Sequence, residues 1–191
     1  MSEAVAEKPT APVSKALPQQ GSRWNFLPTG LAIVAVGLLA DQLTKLWAIR
    51  VLDRWIPVPD LPGYQQRFTI DLIPNLLRFR YAENLGAAFS ILHGQVLLLT
   101  IISFVASIGL AWFWQSLPPR EWWGRTATAL IISGAVGNLI DRAFRGRVVD
   151  FVDAYIIIDG TSRHWPTFNI ADSCICVGAA ILMVRLFQGK I

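Results

Sequence analysis

Val96 to Trp114 is a run of 19 residues without a charge. A helix rises about 1.5 Å per residue, so a run of that length crosses the hydrocarbon core of a bilayer. Three further uncharged stretches follow the same logic: Trp24 to Ala40 (17 residues), Thr126 to Ile140 (15) and Ser173 to Val184 (12). The last two reach spanning length only with their polar flanks. The pattern predicts an α-helical integral membrane protein with four transmembrane helices, at about residues 24–45, 94–115, 123–142 and 170–188. Composition agrees, because 53% hydrophobic and 16% charged residues leave too little polar surface for a soluble domain.

Residues 1–22 are rich in Ala, Pro, Ser, Gln and charge, and read as a disordered tail. They lack the apolar segment of a cleaved signal peptide, so the first span reads as an uncleaved anchor. Residues 23–191 read as one membrane-embedded domain. The net charge of +4 is modest, and no stretch interleaves basic and aromatic residues, which argues against nucleic acid as a partner. The basic excess suits membrane lipids with anionic headgroups. Trp114, Trp122 and Trp123 flank the connection between spans two and three, as interfacial aromatics do. Cys174 and Cys176 lie two apart on one helix and cannot form an ordinary disulfide, so they read as small residues packed within a span. With His93 and His164 as the only histidines and no His-Glu-x-x-His helix, no metal site is expected.

Two connections are too long to be turns. In the first, Arg67 to Ile73 and Leu76 to Tyr81 read as strands, with apolar and basic residues alternating in Leu77-Arg78-Phe79-Arg80-Tyr81. In the second, Val148 to Ile158 is strongly β-prone and ends at the turn Asp159-Gly160. Both connections fall at the same membrane face, where they predict a small β platform.

The polar interruptions of the apolar runs gather at that face, and ionisable groups near hydrocarbon usually mark function. Asp41 and Lys45 lie four apart on one helical face, and read as a helix-end pair with Lys45 snorkelling toward water. Asn84 and Gly86 combine an amide with a residue suited to a turn, and read either as a turn into the second helix or as a surface for a peptide substrate. Arg142, at the end of the third helix, complements the dipole and is placed to meet a carboxylate. Asn138 projects to the same side, more deeply set, and needs partners there. Asp150 ends an apolar strand, while Asn169 and Asp172 open the fourth helix, where an Asp is often only a cap. If Asp150 and Asp172 converge, they cannot both ionise easily and would share a proton, leaving one acid and one base.

Lys and Arg are more numerous on the motif side than on the side of the N-tail, the short loop and the C-terminus. A positive-inside count therefore places the motifs in the cytoplasm, although the rule governs folded segments poorly.

Five blocks in order, Asp41-Gln-Leu-Thr-Lys, Asn84-Leu-Gly-Ala-Ala-Phe-Ser, Gly137-Asn-Leu-Ile-Asp-Arg, Val148-Val-Asp-Phe and Phe168-Asn-Ile-Ala-Asp-Ser, resemble those of the lipoprotein signal peptidases (signal peptidase II). The resemblance covers Asp41 to about Leu186. It implies an aspartic endopeptidase of the bacterial inner membrane, with catalytic Asp150 and Asp172. Asp41, Lys45, Asn84, Gly86, Asn138, Arg142 and Asn169 would support the site or contact substrate. It further implies a diacylglyceryl-modified prolipoprotein as substrate, no cofactor and cytoplasmic termini. The active site and the β platform would be extracytoplasmic, against the charge count. The chain is expected to act as a monomer.

Two other classes are weighed against it. A proton-coupled transporter needs ionisable groups through the membrane, and here they cluster at one end. A purely structural membrane protein explains each motif singly but not their convergence. A serine protease is weaker still, since there is no Gly-x-Ser-x-Gly and Ser90 has no evident link to Lys45.

Overall fold

A computed structural model of the chain describes residues 27–59, 61, 63, 65–86, 94–118 and 120–191. The tail expected at 1–22 and the later part of the Asn84 block lie outside the described residues. Among the described residues there are four helices: α1 (Leu27–Val51), α2 (Val96–Ser116), α3 (Trp122–Arg145) and α4 (Ile170–Phe187). They fall where the apolar runs predict, though α1 continues well past Lys45. Helices α1, α2 and α4 are long and apolar enough to cross a membrane. Their outer faces expose large apolar residues such as Val36, Ile101, Phe104 and Met183, as lipid-facing surfaces do.

Helix α3 differs. It packs against α1, α2 and α4, and buries Arg125, Thr128, Ser133, Asn138 and Asp141. Small residues allow the close approach to α4. A Cβ on Gly134 would collide with the Ala171 carbonyl, and one on Gly178 would lie 2.5 Å from the Ala127 carbonyl oxygen. At the end away from the polar motifs, Arg185 of α4 holds Glu121 just before α3, with Nε 2.8 Å from Oε1 and Nη2 2.7 Å from Oε2. There Arg125 closes the α2–α3 connection by donating to the Leu117 carbonyl at 2.5 Å, while Trp114 Nε1 donates to the Arg125 carbonyl at 3.0 Å.

Among the described residues the platform has six strands. A small hairpin, β1 (Trp55–Pro57) with β2 (Gln65–Arg67), precedes a four-stranded antiparallel sheet. That sheet runs in the order β3 (Thr69–Ile73), β4 (Leu77–Asn84), β5 (Val148–Ile158), β6 (Thr161–His164). The expected strand from Arg67 is thus split at Phe68, whose N–H bonds back to the Arg54 carbonyl at 2.9 Å. Asp159 and Gly160, both at positive φ, make the predicted turn into β6. The sheet is anchored to α1 by an apolar core of Ala48, Leu52, Tyr81, Val149 and Phe151. Trp47 meets Phe79 and Phe151 edge-on there, at centroid distances of 5.2 and 6.2 Å. This anchorage brings the start of β5 against the ends of α1 and α3 and the beginning of α4.

Cys174 and Cys176 are free; the first is half-buried and the second exposed on α4, so only Cys174 faces neighbouring helices as expected.

Candidate active site

Asp41, Lys45 and Asp141 are fully buried, which is costly for charges unless each is paired and saturated with hydrogen bonds. Lys45 Nζ has three acceptors: Asp41 Oδ2 at 2.9 Å, Asp141 Oδ2 at 3.0 Å and Asn138 Oδ1 at 2.9 Å. An ammonium has three protons, so all are used. Lys45 does not snorkel toward water as its place near a helix end suggested, because two carboxylates and an amide satisfy it inside. Asp41 also accepts the Ala171 N–H at 2.9 Å, binding α1 to the first turn of α4. Asp141 takes the Val149 N–H at 3.1 Å and pairs with Arg145, binding α3 to β5.

Above this ionic floor lie the two aspartates. Asp150 is 2% exposed on β5, and Asp172 is half-buried in the first turn of α4. Among the described residues, each carboxylate oxygen has one donor. Asp150 Oδ1 accepts from Asn169 Nδ2 at 2.7 Å and its Oδ2 from Asn84 Nδ2 at 3.1 Å. Asp172 Oδ1 accepts from Asn138 Nδ2 at 2.8 Å and its Oδ2 from the Asn169 N–H at 3.2 Å. The Asn169 side chain in turn accepts the Asp172 N–H at 2.9 Å, which completes a capping box. Asn169 is therefore the N-cap, and Asp172 is its capping-box partner three residues on as well as the neighbour of Asp150's partners. Burial first, and then the charge of Asp172, push the Asp150 carboxyl up to about 7; the bond from Asn84, the charge of Lys45 and the bond from Asn169 oppose them.

Arg142 donates to the Gly86 carbonyl at 3.0 Å. The carboxylate contact expected of it is replaced by this bond, which ties α3 to the segment after β4. Gly86 N–H donates to Asn84 Oδ1 at 2.9 Å, so Asn84 turns the chain and presents its Nδ2 to Asp150.

A comparison with protein families matches residues 33–188 to the family described as Signal peptidase (SPase) II. The chain belongs to the signal peptidase II family.

That family is of aspartic type, so the chain is a peptidase. Two curated relatives, both called lipoprotein signal peptidase, illustrate the likeness. One from Vibrio cholerae is 41% identical over 183 residues, covering 93% of this chain and 94% of the relative. One from Clostridium novyi is 36% identical over 159 residues, covering 83% and 97%. A solved bacterial membrane enzyme, determined by the in meso method at 2.3 Å resolution, superposes with a TM-score of 0.69 at 30% identity, over 85% of this chain and 90% of that one. With its apolar helices, the chain is a multi-pass protein of the bacterial inner membrane.

All nine residues singled out from the sequence lie in this one network. Three that went without a role belong to it too. Asp141 is central, Arg145 balances it, and Gln42 bridges Asp41 at 3.0 Å and the Gly137 carbonyl at 3.2 Å while accepting from Arg145 at 3.0 Å. The Asp141–Arg145 spacing carried the same four-residue signal as Asp41–Lys45. Asp153, also fully buried, organises the sheet instead, through Arg78 Nε at 2.7 Å and His164 Nδ1 at 2.9 Å.

Proposed function

We propose that this peptidase removes the signal peptide from diacylglyceryl-modified prolipoproteins, with Asp150 and Asp172 as a dyad that activates water. The observation that carries the reading is the bridge between the two aspartates: Asn169 donates to both, and Asn138 Nδ2 donates to Asp172. Charge balance supports it. Asp41, Asp141, Asp150 and Asp172 outnumber the neighbouring Lys45, Arg142 and Arg145 by one, so a single proton on the dyad neutralises the group.

In the reaction, the ionised aspartate takes a proton from water as its oxygen attacks the scissile carbonyl carbon. The protonated aspartate hydrogen-bonds to the carbonyl oxygen, which gains the negative charge. The tetrahedral intermediate collapses as the C–N bond breaks, and the leaving nitrogen receives a proton from the dyad. That nitrogen becomes the amino terminus of the lipid-modified Cys. No metal or organic cofactor takes part in these steps.

Helix α3 is read as the fourth span, sheltered by the other three, so its polar side chains face protein and not lipid. The termini are placed in the cytoplasm, and the platform and dyad at the extracytoplasmic surface. Substrate acyl chains then stay in lipid while the peptide lies along the sheet. One copy of the chain supplies every group invoked, in keeping with a monomer.

The test is cleavage of a diacylglyceryl-modified precursor and of its unmodified form, by the native protein and by Asp150→Asn and Asp172→Asn. Cleavage of the modified form alone, abolished in both inserted variants, is expected. Full activity of either variant overturns the dyad.

A further inference from the structure

An asparagine amide is nearly symmetrical in shape, so its neighbours decide whether it offers a donor or an acceptor to a carboxylate. Asn138 and Asn169 both face this choice. Lys45 can only donate, so Asn138 must present Oδ1 to it, at 2.9 Å, and Nδ2 to Asp172 Oδ1, at 2.8 Å. Asn138 Oδ1 also accepts from Asn169 Nδ2 at 3.3 Å. The same Nδ2 reaches Asp150 Oδ1 at 2.7 Å and the Val149 carbonyl at 3.2 Å, so Asn169 Oδ1 is left to accept the Asp172 N–H. The direction of the Asn138 amide bond to Asp172 thus follows from one fully buried ammonium, whereas Asn169 is also fixed by the Val149 carbonyl and the Asp172 N–H, and Asn84 by the Gly86 N–H.

We propose that Lys45 is a positioning residue: through Asn138 it sets the direction of the amide hydrogen bond that reaches Asp172. The inference rests on the dyad reading and deepens it. Lys45 touches neither aspartate of the dyad directly, since its three protons go to Asp41, Asp141 and Asn138. Without it, Asn138 is free to turn its oxygen toward Asp172, replacing attraction by repulsion. Asp172 then loses the Asn138 donor that favours its ionised form, and Asp150 loses a nearby positive charge.

Removing Lys45 alone strands two buried carboxylates, so the decisive variant pairs Lys45→Met with Asp141→Asn, which preserves net charge. Rates for a lipid-modified precursor are measured across pH for the native protein, Lys45→Met, the double variant and Lys45→Arg. Folding is checked by thermal unfolding in detergent. The double variant is expected to fold, to keep KM within about twofold, and to lose kcat by roughly 10- to 100-fold at neutral pH. Its acid limb should move to higher pH by about one unit, because ionising the base has become harder. Lys45→Arg keeps the charge but displaces the donor, so its kcat falls and its limb moves the same way by a smaller amount.

A double variant whose rate drops equally at every pH, with no movement of the limb, overturns the proposal and leaves Lys45 a structural residue. If neither methionine variant folds, Lys45→Arg decides alone, and a native limb overturns the proposal. Failure of the dyad reads differently, as activity in Asp150→Asn or Asp172→Asn.

Discussion

Asn169 holds Asp172 from both sides of a helix start: its N–H lies 3.2 Å from Asp172 Oδ2, and its Oδ1 lies 2.9 Å from the Asp172 N–H. The capping box is thus also a mount for the site, since the same side chain reaches Asp150 at 2.7 Å. Replacing Asn169 by Ala should cost stability by about 1–3 kcal/mol through the lost cap and the unsatisfied buried carboxylate. It should also lower kcat more than it raises KM. Thermal unfolding and steady-state cleavage on the same preparation check both; an unaltered kcat would remove Asn169 from the mechanism.

The raised Asp150 pKa makes stability depend on pH. Its carboxyl moves from an ordinary 3.8 to about 7 on folding. Between those values the folded state binds more protons than the unfolded one. Its contribution is therefore fully present below pH 3.8 and is lost as pH rises through about 7. The melting temperature should fall over that window, and Asp150→Asn should flatten the slope. In Asp172→Asn the fall should be smaller, because the charge of Asp172 is one of the two causes of the shift. An identical slope in all three proteins contradicts this.

Gly137 lets α3 approach α1 at the ionic floor. A Cβ there would lie 2.6 Å from Asp41 Oδ2, an oxygen already clamped by Lys45 and Gln42. Gly137→Ala should therefore destabilise the protein by about 1–3 kcal/mol and weaken Asp41's hold on the Ala171 N–H. A chemical or thermal melt indistinguishable from native would show that the floor can shift freely.

Arg142 fixes the segment after β4 through the Gly86 carbonyl. Arg142→Lys cannot reproduce the same planar donor, so KM for the modified precursor should rise by about tenfold or more. Kinetics that change only in kcat would point instead to a direct electrostatic role toward the aspartates.

The proposed sidedness has a direct check. In a background with Cys174 and Cys176 replaced by Ala, Ser162→Cys on the platform should react with a membrane-impermeant thiol reagent added outside the inner membrane. Gln188→Cys, after α4, should not. The reverse pattern restores the orientation that positive-charge counting gives.

Much of this was legible in the chain, for identifiable reasons. Uncharged runs locate all four helices, and three of them are apolar enough to cross a membrane. The β-prone Val148–Ile158 and the Asp159-Gly160 turn appear as strand and turn, since their signals are local. The hairpin of β1 and β2 was not foreseen, as its strands are three residues each and surrounded by prolines. The fate of Lys45 is not legible from its helix position, because acceptors from α3, far along the chain, hold it inside.

By itself the sequence determines where four helices form, three of them apolar enough to cross a membrane, and that a set of polar residues gathers at one end, because both follow from the cost of placing charge in lipid. It also carries the ordered blocks of the signal peptidase II family. Only the tertiary structure decides which way each amide faces, which carboxylates Lys45 neutralises, and that one asparagine reaches both aspartates. Those outcomes rest on hydrogen bonds across α1, α3, α4 and β5, whose short range demands a relative placement of elements that no local pattern specifies.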